Sequence, residues 1–332
     1  MRKIVLLLTA VLLCLLLSGQ AGLAHHHGHD HEHEEEKKKG ILLAHFGSSY
    51  PQAEAALENI EALTRDRFSD IPVRWAYTSR IVRHNLAEEG EHYDSVAMAL
   101  ARMEDEGFTH VAVQSWHTVP GKEFHAVRSA VDAFQKMDNE LQEITLGAPL
   151  LNKPEQLVQV RDTMLEEIPE EREANEAVIW VGHGTYHPSN AFYVAMDRLL
   201  QDRDENVHMT TLGHLGEEVP SLDRAKEKLR RQGVDKAYLL PFMSVVGAHT
   251  LEDVAGENGH GHGHDHGHDH GHDHDHNHGH GHDHDHDHGE PFKERLEEAG
   301  IETEVVLKGT GEYDALVQLW LDRLDHALHE LK

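Results

Sequence analysis

The sequence predicts an α/β protein made of two similar halves, each a parallel sheet flanked by helices, with a cleft between them. Three observations predict this architecture. Short apolar runs of strand length alternate with amphipathic stretches of helical period. Each half contains four of the apolar runs. A fixed shift along the chain also lays part of the first half over part of the second.

The predicted strands and helices alternate from residue 41 to the C-terminus. The apolar runs predicted as strands cover 41–44, 73–77, 110–114, 143–146, 178–181, 207–212, 237–240 and 303–307. The amphipathic stretches predicted as helices cover 52–65, 93–106, 122–137, 154–167, 222–232, 291–299 and 313–331. Strands that alternate with helices are typical of parallel sheets with helices on both faces.

A shift of 126 residues relates the two halves. It superposes Gly107 and the strand after it on Gly233 and its strand, and it pairs Glu123 with His249. Chance similarity between two helix–strand units is the alternative explanation. Duplication predicts two Rossmann-like or flavodoxin-like halves face to face. Loops from the carboxyl ends of the strands would line the cleft between them, where open sheets place ligands.

Charge and histidine content set this chain apart. Among 332 residues there are 60 acids, 30 Lys or Arg and 34 His, which gives a formal charge of -30. Nucleic-acid binders need a basic surface, so this balance argues against a nucleic-acid partner. Six histidines lie within 25–33, and fifteen occupy every second position from His260 to His288.

The N-terminus has the pattern of a secretory signal peptide. Arg2 and Lys3 precede fourteen uncharged residues, and small residues precede a cleavage point after Ala24. A membrane anchor is the alternative, but a spanning helix needs about 20 apolar residues. The sequence therefore predicts a periplasmic protein with no membrane contact after cleavage. Cleavage would also remove Cys14, the only cysteine, so a metal site must use His, Asp, Glu or Met.

The predicted organisation has four parts. They are a signal peptide at 1–24, a His- and acid-rich tract at 25–39, an N-terminal α/β half at 40–150, and a C-terminal α/β half at 151–332 that contains a His-rich insertion at 258–290. The insertion has no apolar residue that could build a core, so we expect a disordered loop.

Three side chains that could bind a metal stand at strand ends of the second half. They are His183 between two glycines, Glu217 near a helix start, and His249 beyond the strand at 237–240. Taken singly, each has a simpler interpretation: a hydrogen-bonded loop histidine for the two imidazoles, and a first-turn carboxylate for Glu217. Loops from neighbouring strand ends converge, so together they predict a metal site. Two imidazoles and a carboxylate suit Co(II), Ni(II), Fe(II) or Zn(II) and leave coordination positions open.

Several motifs then identify a resemblance. They are 41–50 (ILLAHFGSSY), 77–79 (YTS), 113–117 (VQSWH), 121–124 (GKEF), 146–151 (LGAPLL), 181–184 (VGHG), 240–243 (LPFM) and 247–249 (GAH). The chain from about Gly40 onward, apart from the second histidine tract, resembles the anaerobic sirohydrochlorin cobaltochelatases of the class II chelatase group. That resemblance implies a chelatase-like fold of two α/β halves and insertion of Co(II) into sirohydrochlorin on the route to cobalamin. Exported members of the group resemble this chain in compartment.

The resemblance also implies roles for individual residues. The family's metal ligands fall on His183, Glu217 and His249, and its additional cleft glutamate falls on Glu123. The residues before Glu217 (213–216, GHLG) depart from the family pattern, and Glu218 is adjacent. His183 and His249 could act as ligand and base in turn, and Glu123 could accept a proton from the ring.

A polycarboxylate substrate needs polar and cationic contacts in this acidic protein. The sequence predicts that these come from Arg80, Arg83, Lys122, His45 and Ser48 near strand ends. The alternative is that the cations are ordinary solvated charges and that His45 has a structural role.

Some histidines have uses beyond insertion itself. The tract that begins with His260, His262, His264, His266, His268 and His270 is expected to capture divalent metal beside the site, with affinity that falls as the imidazoles protonate. His117 is a candidate haem ligand in an exported homo-oligomer, against a hydrogen-bonded structural role. The alternative to the enzyme as a whole is a non-catalytic periplasmic metal-binding or delivery protein that has kept the fold.

Overall fold

The computed structural model of the protein describes residues 37–212, 220–257 and 290–332. The predicted signal peptide, the first histidine tract, Glu217 and the tract from His260 to His288 lie outside these ranges. Within them, no helix combines the length and the apolar character needed to span a bilayer.

Two four-stranded parallel sheets form the framework. Their strands are β1 (Lys39–His45), β2 (Val73–Tyr77), β3 (His110–Ser115), β4 (Glu143–Gly147), β5 (Ala177–Gly182), β6 (Val207–Thr211), β7 (Lys236–Phe242) and β8 (Glu302–Val305). The first sheet has the order β2-β1-β3-β4 and the second the order β6-β5-β7-β8, so the two halves have the same topology. β3 and β7 begin 126 residues apart, which agrees with the shift found in the sequence.

The helices of the described residues flank these sheets. They are α1 (Glu54–Arg67), α2 (Arg80–Glu88), α3 (Val96–Asp105), α4 (Lys122–Phe134), α5 (Pro154–Glu166), α6 (Ala191–Gln201), α7 (Leu222–Gln232), α8 (Phe292–Glu297) and α9 (Asp314–Glu330). The predicted α/β fold with two parallel sheets is confirmed. α2 and α6 were not among the predicted helices.

Burial on both faces explains why apolar residues dominate β1, β5 and β7. Every residue of β3 and β5 is buried, as parallel strands covered by helices on both sides require. Residues of both halves share one apolar core, in which the rings of Trp116 and Trp320 lie 5.0 Å apart. The described residues, 37–212, 220–257 and 290–332, therefore belong to one compact unit.

The last helix ties the halves together. α9 follows the second sheet in the chain, yet it packs on β3 and β4 of the first. The Thr145 hydroxyl donates a hydrogen bond of 2.8 Å to the Ala327 carbonyl of this helix. The chain thus crosses back after β8, and the C-terminal helix covers the N-terminal sheet.

Candidate metal centre between the two halves

His183 follows directly on β5, and two glycines set its position. A Cβ on Gly182 would lie 2.5 Å from the Tyr193 ring, so only glycine fits against this buried tyrosine. Gly184 has a φ of +79°, a left-handed conformation that side chains other than glycine rarely adopt. The strand can therefore turn sharply, and the exposed His183 imidazole projects from its end.

His249 lies beyond the end of β7, immediately before a π-helical turn, Thr250–Val254. Leu251 and Val254 of that turn are buried, which anchors it to the second half. Single π-turns are rare and are frequent at functional sites. The half-buried His249 side chain is thus carried by a segment that the core holds in place.

The two imidazoles meet at the carboxyl edge of the second sheet. Their ring centroids lie 4.8 Å apart, and the ring planes are inclined at 80°. With bonds of about 2.0–2.1 Å from a metal to one nitrogen of each ring, the centroids would lie about 4.5 Å apart at a right angle and about 5.2 Å apart at a tetrahedral angle. The observed separation lies between these values, so both rings can bind one divalent ion.

Glu217, the third predicted ligand, lies outside the described residues. The described residues on either side of its segment are attached beside His183: the Leu212 amide donates to the Gly182 carbonyl, and the Thr211 amide donates to the Pro220 carbonyl. Within 37–212, 220–257 and 290–332, no three His, Cys, Asp or Glu side chains gather closely enough to hold a metal. The described part therefore supplies two of the three predicted ligands.

Glu123 stands on the other half. It is the second residue of α4, and its carboxylate is exposed. A Cβ on Gly121 would lie 3.6 Å from that carboxylate and 3.7 Å from the Ser189 hydroxyl, so Glu123 faces the loop after β5. Burial raises the pKa of the neighbouring Tyr193, which is hydrogen-bonded to Thr118 of the first half. Glu123 thus belongs to the first half and lies near Ser189 and Tyr193 of the second.

His45 ends β1 as the sequence predicts, but its surroundings favour the structural role over contact with substrate. Its side chain is completely buried: Nδ1 accepts from the Gly47 amide, and Nε2 lies 2.8 Å from the Ser244 hydroxyl. Burial, with His117 nearby, lowers the pKa of His45 to about 3. His45 therefore joins β1 to the loop after β7 as a neutral imidazole, and contact with a substrate in the cleft is excluded in this arrangement.

His117 has both ring nitrogens engaged. Nδ1 lies 2.8 Å from the Ser115 hydroxyl, and Nε2 lies 3.3 Å from the Thr78 hydroxyl. Burial lowers the pKa of His117 to about 4, although the carboxylate of Glu123 opposes this shift. Binding to haem iron would break one of these hydrogen bonds, so the geometry favours the structural role.

The predicted substrate contacts differ in their availability. Arg80 and Lys122 are exposed at the first positions of α2 and α4. The Arg83 guanidinium instead donates to the Tyr77 carbonyl and is half-buried. The Ser48 hydroxyl accepts from the Tyr50 amide and lies 3.7 Å from the position that a Cβ on Gly247 would take. Arg80 and Lys122 are therefore exposed to solvent, where a substrate can reach them. Arg83 and Ser48 instead form hydrogen bonds that stabilise their own loops.

Large apolar side chains lie exposed at the same strand ends. Phe46 follows β1, Ile81 is the second residue of α2 and Tyr186 follows the turn after β5, with exposures of 46%, 68% and 64%. Phe46 and Tyr186 stand within or beside motifs noted in the sequence, but nothing in the sequence indicates that they are exposed.

A separate cavity of about 420 Å³ opens in the first half. Tyr50, Trp75, Tyr77 and Tyr93 line it together with five glutamates, and neither His183 nor His249 borders it. This cavity is therefore distinct from the site of the two histidines. Its acidic lining would also repel a polycarboxylate.

The chain is similar to known cobalt chelatases along most of its length. The family model described as cobalt chelatase (CbiK) matches residues 39–266. The sirohydrochlorin cobaltochelatase CbiKC of Nitratidesulfovibrio vulgaris is 37% identical over 294 residues, which cover 89% of this chain and 92% of that protein. The sirohydrochlorin cobaltochelatase of Salmonella typhimurium is 27% identical over 296 residues, 88% of this chain and 97% of that protein.

A solved structure supports the fold. SirB from Bacillus subtilis with Fe3+ has a TM-score of 0.54 to this chain at 14% identity, and the match covers 87% of this chain and 95% of that one. Such a likeness at low identity extends to the arrangement of both sheets, and it carries no information about individual site residues.

Proposed function

Because this chain belongs to the cobalt chelatase family CbiK, we propose that it is a sirohydrochlorin cobaltochelatase, which inserts Co(II) into the tetrapyrrole ring. The metal and the macrocycle are both substrates. Insertion of one Co(II) releases two protons from the ring nitrogens, so the site must hold a cation, bind a flat ring and accept protons.

The pairing of His183 with His249 carries this proposal. The two imidazoles come from different loops and lie 4.8 Å apart, a spacing that fits one shared ion. Neutral imidazoles hold borderline divalent ions without binding them irreversibly, and they can also accept protons. Glu217 is proposed as the third ligand, supported by the attachment of its flanking residues beside His183.

Glu123 is proposed to act on the ring from the opposite side. Its carboxylate is supplied by the first half and faces the loop that follows β5. A ring bound between the halves would have the metal ligands on one face and Glu123 on the other. Glu123 could then receive one ring proton while a histidine that releases the ion receives the other.

Recognition of the ring is proposed to combine apolar and cationic contacts. Phe46, Ile81 and Tyr186 expose apolar surface at strand ends of both halves, and such surface suits the face of a macrocycle. Arg80 and Lys122 are exposed and begin helices, where the backbone amides also attract anions. They can pair with peripheral carboxylates of sirohydrochlorin.

The same donor set would accept Ni(II), Fe(II) or Zn(II), so the supply of metal contributes to the choice of ion. Family membership supports Co(II) as the physiological substrate.

A spectrophotometric assay tests this function. Purified protein, sirohydrochlorin and Co(II) should give the spectral change of metal insertion faster than the same mixture without protein. A rate equal to the background would instead favour the binding or delivery protein. Parallel assays with Ni(II), Fe(II) and Zn(II) would rank the ions.

We also propose that the histidine tract within 258–289 supplies metal to the site. The described residues at its two ends lie together, because a Cβ on Gly256 would be 3.4 Å from Pro291. The described chain before the tract ends at Glu257, eight residues after His249. Alternating His and Asp residues form a multidentate ligand at neutral pH.

Replacing 258–289 by a short Gly-Ser linker should lower the insertion rate at limiting Co(II). At saturating Co(II) the rate should equal that of the full chain, because the reacting residues remain. Equal rates at limiting metal would argue against a supply role, and a matched replacement that changes each His of the tract to Gln would separate metal binding from loop length.

A further inference from the structure

His183 and His249 have a similar hydrogen-bonding arrangement at Nδ1. The Nδ1 atom of His183 lies 2.9 Å from the Gly184 carbonyl oxygen, and that of His249 lies 2.7 Å from Oδ2 of Asp253. A carbonyl and an ionised carboxylate can only accept hydrogen bonds. Each contact therefore favours a proton on Nδ1 and leaves Nε2 as the atom with a lone pair.

The two acceptors differ in charge. Gly184 offers a neutral backbone oxygen that the turn after β5 supplies regardless of sequence. Asp253 offers a negative charge that a single substitution can remove. A carboxylate that accepts a hydrogen bond from a metal-binding histidine fixes the tautomer and orientation of the ring. It also makes the other ring nitrogen a stronger electron-pair donor to the metal.

The π-helical turn sets the contact between Asp253 and His249. The amide of Ala255 donates to the Thr250 carbonyl, and the amide of Glu257 donates to the Leu251 carbonyl. Asp253 is four residues after His249, and this wide turn places the two side chains on the same face of the segment. Leu251 and Val254 face the core and are buried. The Asp253 side chain is 18% exposed, so packing as well as hydrogen bonding restricts it.

From this geometry we propose that Asp253 is a positioning residue for cobalt insertion, which holds His249 in the Nδ1–H tautomer with Nε2 directed at the ion shared with His183. The inference rests on the proposed function for its catalytic consequence. The tautomer of His249 can be tested without any assay of activity.

Glu252 provides a matched control within the same turn. It is adjacent in sequence and also acidic, yet its carboxylate lies 3.5 Å from the Tyr50 hydroxyl of the other half. Burial and Glu252 raise the pKa of Tyr50, which agrees with this contact. Glu252→Gln therefore removes one negative charge from the turn without removing the acceptor at His249.

The kinetic test uses full-length Asp253→Asn in assays where a chelator buffer fixes free Co(II), so that the histidine tracts do not alter its concentration. The KM for Co(II) should rise about 10- to 100-fold, the cost typical of losing such a partner. The KM for sirohydrochlorin should stay within about twofold, since a change of both constants would indicate general distortion. Glu252→Gln should resemble the wild type.

The spectroscopic test reads the tautomer directly. Long-range ¹H–¹⁵N spectra of the metal-free wild type, with His249 assigned by its loss in His249→Gln, should show the proton on Nδ1. A proton on Nε2 in the wild type would overturn the proposal, even if Asp253→Asn failed to fold. An unchanged KM for Co(II) in a folded Asp253→Asn would overturn it as well. Absence of insertion by the wild type would refute the proposed function and leave the tautomer result to decide the role of Asp253.

Discussion

Replacing His183 by alanine is expected to lower the rate of cobalt insertion by about 100-fold or more, because the proposed mechanism uses its imidazole as both metal ligand and proton acceptor. His249→Ala should cause a similar loss, since the two rings lie 4.8 Å apart and are proposed to share one ion. The double variant should be little slower than either single one, because residues that act as a unit are not additive. Initial rates at saturating sirohydrochlorin would measure these effects.

A third histidine supplies the control for this prediction. His326 lies on α9, and its side chain is 77% exposed and within 3.4 Å of Glu330. His326→Ala should insert cobalt at the wild-type rate. Near-normal insertion by a folded His183→Ala protein would contradict the proposed site, and an equal loss in His326→Ala would trace the effect to something other than the two facing rings.

Mild acid is expected to destabilise the fold through two buried histidines. The folded-state pKa is about 3 for His45 and about 4 for His117, below the usual 6.5. Between pH 6.5 and these values the unfolded chain binds protons that the folded chain does not. The free energy of unfolding therefore decreases as the pH is lowered through this range. Each pKa unit corresponds to about 1.4 kcal/mol, so each histidine should cost about 2 kcal/mol of unfolding free energy between pH 7 and pH 5.

Urea unfolding at pH 7 and pH 5 would measure this loss. Burial alone would raise the pKa of Asp197, but hydrogen bonds with His208 and Met209 outweigh that effect and lower it. His45→Asn should be less stable than the wild type at pH 7, yet it should lose about 2 kcal/mol less on going to pH 5. The same pH dependence in both proteins would show that His45 is not the buried group responsible.

Periodicity in the sequence was sufficient to predict the fold. The apolar runs coincide with β1 to β8 apart from small shifts of their ends, because strands covered by helices on both faces are mostly apolar. α2 was not predicted because its apolar residues do not mark a buried face. Ile81 is exposed, and Leu86 is the buried residue of this helix. The π-turn at Thr250–Val254 has no established sequence signal and was not predicted.

Part of the site could be predicted from the positions of its residues along the chain. His183 stands between two glycines directly after β5, and His249 lies two residues after Gly247 in the loop beyond β7. Parallel strands bring such loops to one edge of the sheet, so the order of residues is enough to predict their meeting. Asp253 could have been noticed four residues after His249, although an i,i+4 acid is common on helix surfaces.

The sequence by itself determined two parallel sheets of four strands each and the strand ends at which the candidate metal-binding side chains stand, because these depend on the local alternation of apolar and polar residues. The tertiary structure alone decided which polar groups face the cleft. His45 turned inward to Ser244 and Arg83 to the Tyr77 carbonyl, whereas Arg80 stayed in solvent. These outcomes depend on hydrogen-bond partners that lie as far as 199 residues away in the chain, which no local pattern encodes.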